Sequence, residues 1–134
     1  SRAMSVTMLV GIYDSNSKEL LISNAGHEPP IILNDKNDFT NFNEAGPPLG
    51  IIAKTPYKEY KVKFEKSSMY IFTDGITEIK NPQGEELGSL GFQNYITRYK
   101  DKPNNQRLKL IIDNVINSKY IQKDDLTIVV LDSI

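Results

Sequence analysis

The sequence predicts an α+β fold in which strands come first, two helices follow and one more strand completes the order. Three observations support this class. Short runs of β-favouring residues, separated by clusters of turn formers, fill the first 72 positions. Apolar residues then recur at helical spacing between positions 92 and 116. A last apolar run covers positions 126 to 131, and no linker or internal repeat divides the 134 residues.

The composition excludes several classes of protein. Sixteen basic and seventeen acidic residues are interspersed and give a formal charge of −1, so no basic face is available for nucleic acid. The lack of cysteine excludes thiolate chemistry and fits a reducing compartment. No apolar run approaches the roughly 20 residues that span a bilayer, and the N-terminus lacks signal-peptide character. We therefore expect a soluble, cytoplasmic protein without membrane contact in this segment.

The first strands are predicted to form a hairpin and its continuation. The β-like runs Val6–Tyr13 and Lys18–Ser23 flank Asp14–Ser17, a cluster of turn formers. A loop, Asn24–Pro30, then carries the only histidine of the chain to a short strand, Ile31–Leu33. We call Asn24–Pro30 the histidine loop.

Two weaker strands follow, with a rigid loop between them. The strand Phe39–Phe42 leads to Gly46–Gly50, where two prolines without N–H donors lie between glycines. We call Gly46–Gly50 the proline–glycine loop. In Tyr57–Phe64 charged residues alternate with apolar or aromatic ones, as in a strand with one wet face at the edge of a sheet.

The chain is organised around the stretch Ser68–Glu78, in which an apolar run ends abruptly at Asp74 and Gly75. Such a run suits a strand that is covered on both faces, and the glycine allows a sharp turn just past the acid. We predict that this strand places the Asp74 carboxylate at its C-terminal end. The alternative is a plain turn, because Asp-Gly is among the commonest turn dipeptides.

Two amphipathic helices are predicted next, and both should lie on a sheet. Their apolar residues recur at i, i+3, i+4 and i+7: Phe92, Tyr95, Ile96 and Tyr99 in the first, and Leu108, Ile111, Ile112, Val115 and Ile116 in the second. Pro103 cannot continue the first helix, and Asn104 and Asn105 are available as an N-cap for the second.

Candidate chemistry comes from acids at the ends of two strands. Asp74 leaves one buried strand, and Asp124 and Asp125 enter another, Leu126–Leu131. If these strands are antiparallel neighbours, the exit of one and the entry of the other lie at the same end of the sheet. Two crowded carboxylates repel unless a cation intervenes, and oxygen ligands favour Mg²⁺ or Mn²⁺. The alternative is that Asp124 and Asp125 form a solvated turn.

Four segments together resemble the metal-dependent protein phosphatases of type 2C, in their bacterial SpoIIE/RsbU-like branch. In the order of that family they are Asn24-Ala25-Gly26-His27 with Pro29-Pro30, Gly46-Pro47-Pro48-Leu49-Gly50, Thr73-Asp74-Gly75-Ile76-Thr77-Glu78 with Asn81-Pro82 and Gly84-Glu85, and Asp124-Asp125-Leu126-Thr127. Each segment is weak alone, but the four in this order cover nearly the whole chain.

The resemblance implies an α-β-β-α sandwich of largely antiparallel sheets, with two Mg²⁺ or Mn²⁺ ions at one end. Asp74 and Asp124 match metal-ligating aspartates, and Asp125 matches a neighbouring position that need not bind directly. The ions would activate a water that attacks the phosphorus of phosphoserine or phosphothreonine. His27 is a candidate proton donor or outer ligand, with a purely structural role as the alternative. The proline–glycine loop is assigned as a substrate loop.

The family also has an earlier G-D-x-x-G-H-G segment, whose aspartate bridges the two metals, and this chain lacks it. Residues 1–134 therefore resemble the C-terminal portion of a phosphatase domain, which we expect to be inactive alone and able to form a homo-oligomer. The branch implies a phosphorylated regulatory protein, of the anti-anti-sigma type, as partner. Two other functions fit the residues: a non-catalytic phosphatase-like module that contacts a partner, and a metal-free, β-rich domain that binds a small molecule.

Overall fold

The computed structural model describes residues 4–42, 45–117, 120–122 and 124–133. Its elements are β1 Met8–Asp14, β2 Glu19–Ala25, β3 Ile31–Asn34, β4 Phe39–Asn41, β5 Glu59–Lys63, β6 Ser67–Phe72, α1 Asp74–Thr77, α2 Gly88–Tyr99, α3 Asn104–Asn117 and β7 Ile128–Asp132. The strands form two sheets, with the orders β1-β2-β5 and β4-β3-β6-β7. This mixture of antiparallel sheets and helices confirms the predicted α+β class.

The chain divides into two compact units. Unit 1 comprises Ser1–Met69 with Asp132–Ile134, and unit 2 comprises Tyr70–Leu131. Strands β1 to β5 belong to unit 1, and the three helices belong to unit 2, whereas β6 and β7 each have residues in both.

The predicted hairpin is present in unit 1. Strands β1 and β2 pair antiparallel, with Asp14 opposite Glu19 at the turn. The Asp14 carboxylate accepts hydrogen bonds from the backbone N–H groups of Asn16 and Ser17, at 2.8 and 3.3 Å. These two bonds stabilise the ionised carboxylate and hold the pKa of Asp14 below its ordinary value. The turn is therefore shaped by the acid that begins it.

The edge strand predicted from alternating charge is also confirmed. Strand β5 lies at the end of its sheet and pairs antiparallel with β2. Tyr60 and Val62 are half-buried, and the charged residues between and beside them are exposed. The buried apolar residues of unit 1 include Leu20, Ile22, Ile31, Ile32, Leu33, Phe42 and Phe64.

One face of β1 is apolar and exposed. Met8, Val10 and Ile12 are 45%, 48% and 66% exposed. Because alternate residues of a strand lie on one face, these three side chains form a continuous strip. Contiguous apolar surface of this kind usually marks a contact with another segment or chain.

The two predicted helices supply nearly half of the buried apolar residues of unit 2. The Phe92 ring of α2 packs edge-on against Phe72 of β6, with 4.8 Å between ring centroids, and against Tyr70, at 6.3 Å. The apolar side chains that α2 and α3 bury are Phe92, Tyr95, Ile96, Ile111 and Val115. None of the helices in the described part of the chain is long and apolar enough to cross a bilayer.

The predicted asparagine N-cap of the second helix is wrong. Helix α3 begins at Asn104. The Pro103 carbonyl accepts hydrogen bonds from the backbone N–H groups of Gln106 and Arg107, both at 2.9 Å. Pro103 therefore holds the N-cap position, because any residue can supply the backbone carbonyl that starts the helix.

The expectation that the last strand is buried is also wrong. In β7 only Val130 is buried, at 9% exposure, whereas Val129 and Leu131 are each 45% exposed. Strand β7 is the last in its sheet, and alternate side chains point to opposite faces. Only the face that carries Val130 is covered.

Candidate metal centre

The two acidic segments meet at one end of a strand pair. Strands β6 and β7 are neighbours in their sheet. Backbone hydrogen bonds join Ser67 to Ser133 and Thr73 to Thr127, so the beginning of each strand lies opposite the end of the other. The condition under which the two acids lie at the same end of the sheet, antiparallel pairing of neighbouring strands, is therefore met, and it places the exit of β6 beside the entry to β7.

Asp74 directly follows Thr73, the last residue of the β6 segment that is hydrogen-bonded to the β7 segment. It is the first residue of α1, its side chain is exposed, and its carbonyl accepts hydrogen bonds from the Glu78 N–H and the Thr77 hydroxyl, at 2.9 and 3.1 Å. Strand β6 thus delivers the acid to its end, as predicted. The chain then turns through one turn of helix.

Gly75 allows the two segments to approach closely. It is buried, and a Cβ at this position would overlap the Asp125 carbonyl oxygen and come within 3.3 Å of a Leu126 methyl group. The backbone of Asp125 therefore lies directly against residue 75. Any L side chain here would push the two segments apart.

Asp124 and Asp125 lie in an irregular segment before β7, and both are exposed. The Asp124 carboxylate accepts a hydrogen bond from the Asp125 N–H at 2.8 Å, and the Asp124 carbonyl accepts one from the Gln122 side-chain amide at 3.1 Å. Exposure and local hydrogen bonds are the features of the solvated turn that we set out as the alternative. The segment has these features and also lies against Gly75.

A cavity of about 180 Å³ adjoins Asp124, and its lining residues are Gly75, Glu78, Ile79, Lys80, Glu86 and Asp124. Glu86 lies there because Asn81 folds the chain back: its side-chain oxygen accepts hydrogen bonds from the N–H groups of Gln83 and Glu85. The backbones of Lys80 and Glu86 then form an isolated antiparallel β-bridge. The sequence did not identify Lys80 and Glu86 as site residues. The turn Asn81-Pro82-Gln83-Gly84 is evident in the sequence, and a β-bridge across that turn would have placed these two residues side by side.

The acids of these segments are of the type that a hard divalent cation prefers, but the described residues do not form a complete ligand set. Asp74, Asp124 and Glu78 carry carboxylate oxygens, which Mg²⁺ and Mn²⁺ prefer. Within residues 4–42, 45–117, 120–122 and 124–133, no three His, Cys, Asp or Glu side chains are grouped closely enough to hold a metal ion. A cation held by the described residues alone would keep several of its waters.

His27 belongs to unit 1, and its neighbours fix its orientation. The Asn24 side chain accepts a hydrogen bond from the His27 N–H and donates one to the His27 carbonyl, both at 2.9 Å. The ring Nδ1 lies 2.8 Å from the Glu28 carbonyl oxygen. That oxygen can only accept, so Nδ1 carries the proton, and Nε2 of the neutral ring keeps a free lone pair.

The proline–glycine loop packs on the histidine loop. The Gly46 N–H donates to the Asn24 carbonyl at 3.0 Å. Gly26 has a φ of +72°, and a Cβ there would lie 2.7 Å from Cγ of Pro48. The two loops, which are about twenty positions apart in sequence, therefore form one packed structure that periodicity and turn signals did not reveal.

The other residues of the proline–glycine loop are also held. The Pro47 carbonyl accepts a hydrogen bond from the Tyr57 hydroxyl at 2.8 Å. Leu49 exchanges backbone hydrogen bonds with Val6, at 3.1 and 2.8 Å. Gly50 has a φ of +89°, which favours glycine, and it is exposed. A loop fixed in this way suits a rigid contact surface.

The sequence is similar to those of known bacterial proteins. Residues 1–133 match the family model of stage II sporulation protein E, SpoIIE. Protein IcfG of Synechocystis sp. is 28% identical over 130 residues, and phosphoserine phosphatase RsbU of Bacillus subtilis is 30% identical over 132 residues. The alignments cover 95% and 96% of this chain, but the chain spans only 20% and 39% of those proteins.

Solved structures confirm the fold class. The PP2C domain of SpoIIE from B. subtilis, solved with a fragment of its regulatory domain, matches with a TM-score of 0.76 and 21% identity over 92% of this chain and 36% of that one. The RsbU and RsbW domains of a Mycobacterium tuberculosis protein match with a TM-score of 0.75 and 22% identity, over 96% and 36% of the two chains. RsbX in complex with magnesium matches with a TM-score of 0.63 and 18% identity, over 92% and 54%.

Proposed function

Because the chain belongs to the SpoIIE family of PP2C-type serine phosphatases, we propose that it forms part of a domain that hydrolyses phosphoserine or phosphothreonine on a regulatory protein. The observation that carries the proposal is the antiparallel register of β6 and β7. It brings the segments that carry Asp74 and Asp124 to one end of a sheet. RsbU, at 30% identity, is named a phosphoserine phosphatase.

The residues have distinct roles in this proposal. One or two Mg²⁺ or Mn²⁺ ions, when bound, would supply Lewis acidity that activates water and neutralises phosphate charge. Asp74 and Asp124 would hold an ion through carboxylate oxygens, with Asp125 beside them, and their exposure leaves them open to substrate. His27, whose Nδ1–H donates to a carbonyl, would also carry a proton at Nε2 as the imidazolium and donate it to the leaving serine oxygen, which leaves the ring neutral.

The partner, in this proposal, is a phosphorylated regulatory protein of the anti-anti-sigma type in the cytoplasm. Two similarities support it: RsbU among the relatives, and an RsbU domain joined to an RsbW domain in a matched structure. The proline–glycine loop would contact this protein, because it is rigid and is hydrogen-bonded to the loop that carries His27.

Substitution of the two acids tests the proposal. In the full-length natural protein, Asp74→Asn or Asp124→Asn should lower Mn²⁺-dependent hydrolysis of a phosphoserine protein by at least about 100-fold, since even residues that merely support metal ligands are worth 10- to 100-fold. The amide keeps the shape of the carboxylate and loses its charge, so circular dichroism should be unchanged.

A matched control is Asp113→Asn. Asp113 is an acid of α3 whose carboxylate pairs with Lys109. This variant should retain activity. Near-normal turnover by either site variant would remove that acid from the site. A wild-type protein that binds a phosphoprotein but never hydrolyses it would favour a non-catalytic module, which is the alternative that the incomplete ligand set supports.

A further inference from the structure

Two residues that flank Asp74 determine how its segment meets the segment of Asp124. We propose that Thr73 and Gly75 are positioning residues for the two aspartates, an inference that rests on the proposed function. Thr73 acts through a side-chain hydrogen bond with Thr127, the residue just before β7, and Gly75 acts by having no side chain.

The Thr73 side chain replaces one backbone hydrogen bond that is missing between the two strands. In a regular antiparallel pair, Thr73 and Thr127 would exchange two bonds between backbone N–H and carbonyl groups. The Thr73 N–H does donate to the Thr127 carbonyl, at 3.1 Å. The Thr73 carbonyl, however, accepts the Ile76 N–H at 3.2 Å, because the chain has already turned into α1.

The Thr73 hydroxyl takes over the role of that carbonyl. The Thr127 N–H donates to Thr73 Oγ1 at 3.2 Å. One residue can therefore end the strand pair and begin the helix without losing the last bond of the ladder. Asp74 is consequently held one residue beyond a complete strand pair.

Gly75 supplies the second constraint, on the other side of Asp74. The Asp125 carbonyl oxygen occupies the space that a Cβ of residue 75 would need. No positive φ is involved, so the requirement for glycine is one of space alone. With contacts at positions 73 and 75, the backbone of Asp74 has little freedom relative to that of Asp124.

Thr73→Val and Thr73→Ser form a matched pair for the test, in the full-length natural protein. Valine keeps the branched shape without the acceptor, whereas serine keeps the acceptor. Thr73→Val should weaken Mn²⁺ binding about three- to tenfold by calorimetry, the range of a single hydrogen bond. It should also speed hydrogen–deuterium exchange of the peptide that carries Thr127. Thr73→Ser should restore both.

Ser68→Ala is the control within the same strand pair. The Ser68 hydroxyl donates to the Asp132 carboxylate at 2.6 Å, at the end of the pair away from Thr73. The loss of this bond should lower stability and leave Mn²⁺ affinity within about twofold, because the bond lies away from both aspartates.

Gly75→Ala and Gly11→Ala form a second pair. A Cβ at Gly11 would meet its nearest atom at 3.5 Å, an ordinary contact. Gly75→Ala should weaken Mn²⁺ binding by about tenfold or more, on the scale of lost support for a metal ligand. Gly11→Ala should leave it unchanged.

The outcomes separate this inference from the function on which it rests. A wild-type protein that binds no Mn²⁺ and hydrolyses no phosphoprotein would overturn both. Normal wild-type binding, with Thr73→Val no weaker than Thr73→Ser, would overturn the role of Thr73 alone. Normal binding by Gly75→Ala would overturn the role of Gly75 in the same way.

Discussion

Replacement of Gly26 by alanine should destabilise the packing of the histidine loop against the proline–glycine loop. Gly26 has a φ of +72°, where an alanine costs about 1 to 2 kcal/mol. Its Cβ would also lie 2.7 to 2.9 Å from three atoms of Pro48, and overpacking of this kind costs about 1 to 3 kcal/mol. We therefore expect the free energy of unfolding to fall by about 2 to 5 kcal/mol.

Two further variants separate these contributions. Gly84 has a φ of +82° and nothing within 4 Å of its Cβ position, so Gly84→Ala should show the backbone cost alone, about 1 to 2 kcal/mol. Pro48→Ala removes two of the three crowded atoms. The double variant of Gly26 and Pro48 should therefore be less destabilised than the sum of the two single variants, by about 1 kcal/mol.

The assay is urea unfolding of the complete phosphatase domain that contains this chain, followed by circular dichroism and tyrosine fluorescence. The chain has seven tyrosines and no tryptophan, so no tryptophan emission from this segment covers its tyrosine fluorescence. A Gly26→Ala variant no less stable than Gly84→Ala would refute the close contact between Gly26 and Pro48. Strict additivity with Pro48→Ala would refute it independently.

Three further predictions concern the chain alone and one of its turns. The isolated 134 residues should self-associate or be only marginally stable, because the strip of Met8, Val10 and Ile12 is exposed; light scattering from a clean monomer that unfolds cooperatively would contradict this. The isolated chain should also hydrolyse para-nitrophenyl phosphate with Mn²⁺ no faster than its Asp74→Asn variant, since the described residues lack a complete ligand set; robust turnover would mean that Glu78 or Asp125 completes the site. The Asp14 carboxylate, whose pKa is lowered, should stabilise the hairpin turn fully above its unfolded pKa near 3.8 and lose this effect as the pH falls through the lower folded pKa. A carboxyl titration by NMR should place the Asp14 midpoint below 3.8, and a midpoint at or above that value would count against the two backbone bonds.

Several elements could be predicted from the sequence because their signal is local. The helices of Phe92 and of Ile111 follow from apolar residues at a period that only a helix places on one face. The hairpin follows from a cluster of turn formers between two β-like runs, and the Asp14 hydrogen bonds show how that cluster works. The antiparallel pairing of β6 and β7 was only a condition of the sequence argument, because acids at two strand ends do not determine how the strands pair, and the structure meets that condition. The metal-binding roles of Asp74 and Asp124 stay predictions.

Other features depend on contacts between residues far apart in sequence, and no local pattern reports them. The apolar run of β7 indicates a strand, but only its place as the last strand of a sheet leaves Val129 and Leu131 exposed.

The same limit applies to the candidate site. The glycines at 26 and 75 indicate turns, yet only the folded chain shows that Pro48 and the Asp125 carbonyl occupy the space beside them. Thr73 is an ordinary strand residue in the sequence, and its hydroxyl becomes a ladder acceptor only because its carbonyl has turned into α1. Sequence periodicity therefore determined which segments form helices and strands, whereas the tertiary structure decided which atoms meet, because that depends on the register between distant segments.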